Sequence, residues 1–339
     1  MQEGMLWHKE RNGIRCDLCA RKCFIGKDKL GYCQVRKSDG SSLLSLNYGK
    51  ITGSQMESIE KLPLYHFFPA STSLTVSSFG CNFNSNFCPE FETGKELHRP
   101  LEKIKFQETT PEKIVKMAED NSAKSITFSH SEPFINFEFA FKTAKLSHRS
   151  NLKNIFVSNG YAMEDSVKKI AKFLDAIVIN FTASGNPEFY KKYFDGAEAE
   201  MMFDALKQIK KNRIHAEITN TIVPNIGDDP ADCKKLAEWI NGELGSEVPF
   251  HILQFHPNKN TPDLPLTPVS TLDKCADEIK KAGIRYVYIG RIPGHVDENT
   301  YCYNCREPLV MRKGGVVKKV NLSKDRCPNC GLRINIFVE

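Results

Sequence analysis

The loop GCNFNSNFCPEFETG, Gly80 to Gly94, carries Cys81 and Cys88 with Ser85 between them. A thiol at position 85 would complete C-x3-C-x2-C, three soft donors on one loop able to hold an iron–sulfur cluster. A thiolate binds iron because cysteine deprotonates near neutrality, at about pKa 8.5. An alcohol is far less acidic and harder as a donor, so Ser85 would hold iron less securely. Three readings stand at this point: a metal site with an altered ligand, a site that has lost its chemistry, or two unrelated cysteines.

The other cysteines also come in short-spaced groups. Cys302, Cys305, Cys327 and Cys330 form YCYNC and CPNC, two C-x2-C knuckles joined by 21 residues. Four such thiolates converge on a tetrahedral centre, the closed coordination of a structural zinc ribbon. Cys16, Cys19, Cys23 and Cys33 are spaced C-x2-C-x3-C-x9-C. Zinc and an iron–sulfur cluster both accept that set, and structural zinc is slightly favoured. Cys233 and Cys275 fall inside helical patterns and read as buried core thiols. Twelve cysteines in a small secreted chain would suggest disulfides. The start MQEGMLWHKE has no apolar core of an export signal, so metal binding in the cytoplasm is the expectation.

The elements that must position these groups alternate between about residues 74 and 291. SLTVSSF, SITFSH, NIFVSNG, AIVINFT, IHAEITNTIV, FHILQF and RYVYIG read as seven buried strands, short and rich in apolar or β-branched residues. Amphipathic stretches separate most of them. PEKIVKMAEDN begins after Thr110 as N-cap with Pro111 at the first helical position, and Asp229-Pro230 repeats the device. STLDKCADEIKKAG begins with a capping-box-like Ser270…Asp273 and stops at Gly283. Such alternation implies parallel pairing, in a doubly wound sheet or a full or partial βα barrel. Residues 1–73 form an N-terminal four-cysteine module, 74–297 the βα body, and 298–339 a zinc-ribbon-like module.

In βα folds the carboxyl ends of the strands carry the active site. Cys81 follows the first strand and Glu132 the second. Ser158 and Asn159 follow the third, Asn180 and Thr182 end the fourth, Gln254 and His256 close the sixth, and Gly290 and Arg291 the seventh. Any one of these is also an ordinary turn or cap residue; their recurrence at successive strand ends marks them as candidate ligand-binding groups.

These motifs together resemble the radical SAM enzyme of the AmmeMemoRadiSam system, a relative of the pyruvate formate-lyase activating enzymes. The resemblance rests on CDLCARKC…GYCQVR, IEKLPLYHFFP, the cluster loop, VSNGY, FHILQFHP, YVYIG and ENTYCYNC…CPNCG, and spans essentially the whole chain. It implies a partial βα barrel in which three cysteines hold a [4Fe–4S] cluster that chelates S-adenosylmethionine. Reduction then yields a 5′-deoxyadenosyl radical that abstracts hydrogen from substrate. Cys81 and Cys88 match the first and third ligands, and Ser85 takes the second. Glu132 matches the position that helps hold the methionine end, and Asn159 lies where the family lines its cofactor groove. Four departures meet at one rim: Ser85; CPEF for a CQN-type sequence; SHSEP for a TYNEP-like one; and NFTA, from Asn180, for DLK. The implied partners are a reducing protein and the other proteins of that system.

The formal net charge is +6, and from Cys302 to Glu339 eight Lys/Arg face three Asp/Glu. That basic tail suits solubility, or RNA and acidic partners. No apolar run approaches the ~18 residues of a membrane span. The leading function is radical chemistry on a protein or small molecule. The alternatives are a cluster-deficient barrel that binds a ligand or partner, and an RNA-binding or RNA-modifying protein that uses the ribbon.

Overall fold

The computed structural model describes residues 2–87, 101–290, 292 and 294–338. Cys88, Pro89 and Arg291 lie outside the described residues. The chain packs as two compact units, neither of them one continuous stretch: residues 1–56, 73–177 and 190–214 in the first, and 57–72, 178–189 and 215–339 in the second.

The first unit opens with a three-stranded antiparallel sheet, β1 (Trp7–Glu10), β2 (Gly13–Cys16) and β3 (Phe24–Gly26), in which Trp7 faces Cys16 and Arg15 faces Phe24. Its main strands are β4 (Thr72–Ser77), β5 (Ser125–Phe128) and β6 (Lys153–Ser158). They pair in parallel, Phe128 opposite Val76 on one side and Phe156 on the other. Such strands are covered on both faces, which is why they read as unbroken apolar runs. Helix α1 (Pro111–Asp120) is capped by Thr110, whose hydroxyl accepts from Lys113 N, as its sequence requires. Helices α2 (Phe137–Ser147) and α3 (Glu164–Ile170) follow β5 and β6. Strand β7 (Ala176–Thr182) begins in the first unit and ends in the second.

After β7 come helices α4 (Pro187–Tyr193) and α5 (Glu200–Lys211). The second unit's parallel strands are β8 (His215–Ile222), β9 (Phe250–Gln254) and β10 (Val287–Gly290). Ile218 pairs with Phe250, and Phe250 with Val287. Helix α6 (Pro230–Glu243) starts at Asp229, whose carboxylate accepts from Ala231 N at 2.8 Å. Cys233 and Cys275 are fully buried on α6 and α7 (Val269–Lys281), as core thiols should be. Helix α7 starts one residue before the expected Ser270. Pro268, at φ −60° and ψ 140°, is its N-cap and offers no side-chain acceptor. With Pro268 as the cap, Ser270 lies inside the helix and no capping box forms; Asp273 pairs instead with His295 at 3.1 Å. The ribbon strands β11 (Thr300–Tyr301), β12 (Pro308–Lys313) and β13 (Val316–Val320) form an antiparallel sheet. No described helix is long and apolar enough to cross a membrane.

Candidate functional site

In the first unit, the loops after β4, β5 and β6 meet around Cys81. Gly80 turns the chain at φ +92°, and a Cβ there would stand 2.6 Å from the Val35 side chain. Only glycine satisfies both the left-handed backbone and the close approach. The Cys81 sulfur is buried and accepts from Phe83 N at 3.4 Å and from Asn159 Nδ2 at 3.9 Å. Asn159 Nδ2 also donates to Asn82 Oδ1 at 2.7 Å, and Asn82 Nδ2 to Tyr161 O at 3.0 Å. N–H donors aimed at sulfur favour thiolate, the form that ligates iron.

Glu132 fastens this arrangement. Its Oε1 accepts from Ser158 Oγ at 2.9 Å and Phe134 N at 3.1 Å, and its Oε2 from Asn159 N at 2.9 Å. Burial pushes the carboxyl up to about 7, against the pull of those three hydrogen bonds. A carboxylate here sets the turn that presents the Asn159 amide to Cys81. An aromatic wall closes the loop from below: Phe83 lies 5.0 Å from both Tyr161 and Phe194, and Tyr190 stacks on Phe194 at 4.6 Å.

The described donors fit iron through Cys81, set in a tight glycine turn among N–H donors. Ser85 offers a half-buried hydroxyl that accepts from Phe87 N at 3.2 Å. Asn180 lies in the second unit, where Thr219 donates to its Oδ1 at 2.7 Å, and His256 is exposed beyond β9. Gln254 does a fastener's work, donating to Thr267 O at 2.7 Å.

The cysteine modules differ in build. Cys302 and Cys330 sulfurs stand 3.6 Å apart, as do Cys305 and Cys327, and all four lie within 4.8 Å of one another. The two knuckles repeat one hydrogen-bond pattern. Cys302 N donates to Glu307 O and receives Arg306 N on its carbonyl; Cys327 N donates to Leu332 O and receives Gly331 N, each at 2.9 Å. Both knuckles close on a left-handed residue, Arg306 at φ +62° and Gly331 at +73°. This is a metal-binding geometry. Cys16, Cys19, Cys23 and Cys33 instead line one cavity together with Arg36 and Asn82.

Several residues escaped the sequence reading. Arg21 donates to Asn82 O, Phe194 O and Asp195 O, at 2.9, 2.8 and 2.8 Å, tying the N-terminal module to the cluster loop. Arg36 and Glu138 form an ion pair at 2.7 Å that is 1% and 0% exposed. In the second unit, Glu217 is fully buried and accepts from His251 Nε2 at 2.7 Å, His66 N at 2.8 Å, Tyr65 N at 2.9 Å and His215 Nε2 at 3.1 Å. Burial alone would raise its pKa, but the two histidine hydrogen bonds win and hold it well below the usual carboxylate range. A glutamate in the middle of the apolar run IHAEITNTIV was the visible signal, because such residues are almost never buried unless paired.

Residues 75–240 match the radical SAM superfamily. An uncharacterized protein of Methanocaldococcus jannaschii is 34% identical over 341 residues, covering all of both chains. The (2S)-3-sulfopropanediol dehydratase activating enzyme of Klebsiella oxytoca is 22% identical over 129 residues, 38% of this chain and 40% of its own. A solved radical SAM methyltransferase from Sphaerobacter thermophilus aligns with a TM-score of 0.52 at 16% identity, over 71% of each chain, a likeness of fold.

Proposed function

Because the chain belongs to the family of the M. jannaschii protein and carries a radical SAM superfamily domain, we propose that it carries out S-adenosylmethionine-dependent hydrogen abstraction from a protein or small-molecule substrate. The observation that supports this best is the setting of Cys81, buried in a glycine-turned loop with the Phe83 and Asn159 N–H groups on its sulfur. Cys81, Ser85 and Cys88 would hold a [4Fe–4S] cluster, which when bound supplies the electron that cleaves the sulfonium. Glu132 orients Ser158 and Asn159 toward that loop, and the Phe83, Tyr161 and Phe194 rings exclude water beneath it. The C-terminal thiols hold zinc as a closed structural centre, since four sulfurs this close suit one tetrahedral ion. A reducing protein and the other members of the AmmeMemoRadiSam system are the partners this reading calls for.

The test is anaerobic reconstitution with iron and sulfide, then reduction with S-adenosylmethionine present. Deoxyadenosine should form, and Ser85→Cys should raise both iron content and yield, because a thiolate restores the third soft donor. No deoxyadenosine from either protein sinks the proposal. It would favour the second reading, a barrel kept for ligand binding, which one observation supports: the Ser85 hydroxyl already serves its own loop through Phe87 N.

A further inference from the structure

The two four-cysteine modules use the same donors in different spaces. A single zinc with thiolates at about 2.3 Å draws its sulfurs to about 3.8 Å from one another. The C-terminal set matches that, with pairs at 3.6 Å. Among the described residues it is the one set of three or more ligand atoms within 4.8 Å of one another. The N-terminal cysteines surround a cavity instead. A cluster places iron and inorganic sulfide between its cysteines and holds their sulfurs apart, whereas a single zinc draws them together, and the N-terminal sulfurs are not drawn together here.

A second observation points to a ligand in that cavity. Arg36 lines it and is 1% exposed. Its Nη1 meets Glu138 at 2.7 Å and its Nη2 meets Ile135 O at 3.0 Å, but its Nε has no hydrogen-bond partner. A buried N–H of this kind calls for an acceptor, which either Glu138 Oε2, also without a partner, or a ligand in the cavity could supply. Cluster sulfides are acceptors, and a cluster held by four thiolates carries the negative charge that a buried guanidinium favours.

The cavity also borders the Cys81 loop. Asn82 lines it and bonds to Asn159, and the Cys33 carbonyl stands 3.1 Å from where a Gly80 Cβ would be. We propose that Cys16, Cys19, Cys23 and Cys33 ligate a second iron–sulfur cluster, a one-electron carrier set against the Cys81 loop. It takes one electron from an external donor of the flavodoxin or ferredoxin class, its core passing from 2+ to 1+, and returns to 2+ on giving that electron up. Its use in catalysis rests on the proposed function; its presence does not.

The experiment removes the other iron site from the full chain with Cys81→Ala and Cys88→Ala, followed by anaerobic reconstitution. About four iron and four sulfide per chain should remain, with a spin-half resonance on dithionite reduction. Adding Cys16→Ala and Cys19→Ala should abolish both. Zinc in place of iron in the first variant overturns the proposal. Metal and sulfide analysis of the unaltered protein guards against a variant that misfolds: about eight iron with one zinc supports two clusters, whereas about four iron with two zinc overturns the second. Deoxyadenosine is assayed separately, so a protein that keeps this cluster but cleaves no S-adenosylmethionine refutes the radical reading and leaves the second cluster standing.

Discussion

Replacing Glu217 with glutamine tests the buried network of the second unit atom by atom. In the native chain, Oε1 accepts from His66 N and His215 Nε2, and Oε2 from Tyr65 N and His251 Nε2. A glutamine keeps one oxygen and so satisfies two of these donors. Its NH2 group must then face the other two. If it faces Tyr65 N and His251, the histidine can change tautomer and accept, but the backbone N–H cannot. One buried backbone N–H and one amide N–H lose their acceptors, at about 1–3 kcal/mol each, so Glu217→Gln should cost about 2–6 kcal/mol. Glu217→Ala, which strands all four donors, should cost more. Urea denaturation gives the total, and hydrogen exchange at Tyr65 and His66 locates it. A loss below about 0.5 kcal/mol, or unchanged protection at those amides, would refute the accounting.

Two buried groups, one in each unit, should respond to pH in opposite directions. Burial lowers His66 from 6.5 to about 4, so its contribution is intact above 6.5 and is lost as pH falls toward 4, on the order of 3 kcal/mol in all. Glu217, also depressed, adds to acid loss below its unfolded value of 4.5. Glu132 runs the other way: raised to about 7, it binds its proton more tightly when folded, so its contribution should fall as pH rises from 4.5 to 7. Hydrogen exchange corrected for intrinsic rates should show the two trends in separate peptides; parallel trends would contradict both. Cys327→Ser, or strong chelation, should expose residues 300–338 to protease while β4–β6 stay protected, and an intact ribbon after metal loss would remove the zinc assignment. S-adenosylmethionine should bind more tightly as pH rises through about 7, because an ionised Glu132 favours the cationic ligand; calorimetry that shows a flat profile would separate Glu132 from the binding site.

Much of this was readable from the chain. All seven strands stand where short β-branched runs placed them, and Thr110 and Asp229 cap their helices as written. Local chemistry decides such features. The start of α7 was misread because the helix begins at Val269, after Pro268, which places Ser270 inside it rather than at its cap. Glu132, Ser158, Asn159 and Cys81 were singled out by position, and their hydrogen bonds join them. Asn82 and Arg21 were not, since an asparagine and an arginine in polar loops look like solvated residues until the partner loop is known. Cysteine spacing announced two four-thiol modules but is silent on whether sulfurs touch or surround a space, which depends on how the intervening turns fold.

The fastening of residues 57–72 has a bearing on how the chain is made. Phe68 N donates to Phe337 O, Phe337 N to His66 O, and His66 Nδ1 meets Asn335 O, all at 2.8 Å. The LYHF stretch therefore leaves the ribosome early and finds these partners only after a further 269 residues have been made. The first unit is built of residues up to 214, all of which are made before most of the second. Until residues 335–337 emerge, Phe67 and Phe68 lack the Phe337 ring, which lies 5.5 and 6.4 Å from theirs, and such exposed apolar segments are what chaperones bind. Replacing Phe337 with Ala should therefore register first in yield of soluble protein, well before any effect on the cysteine loops.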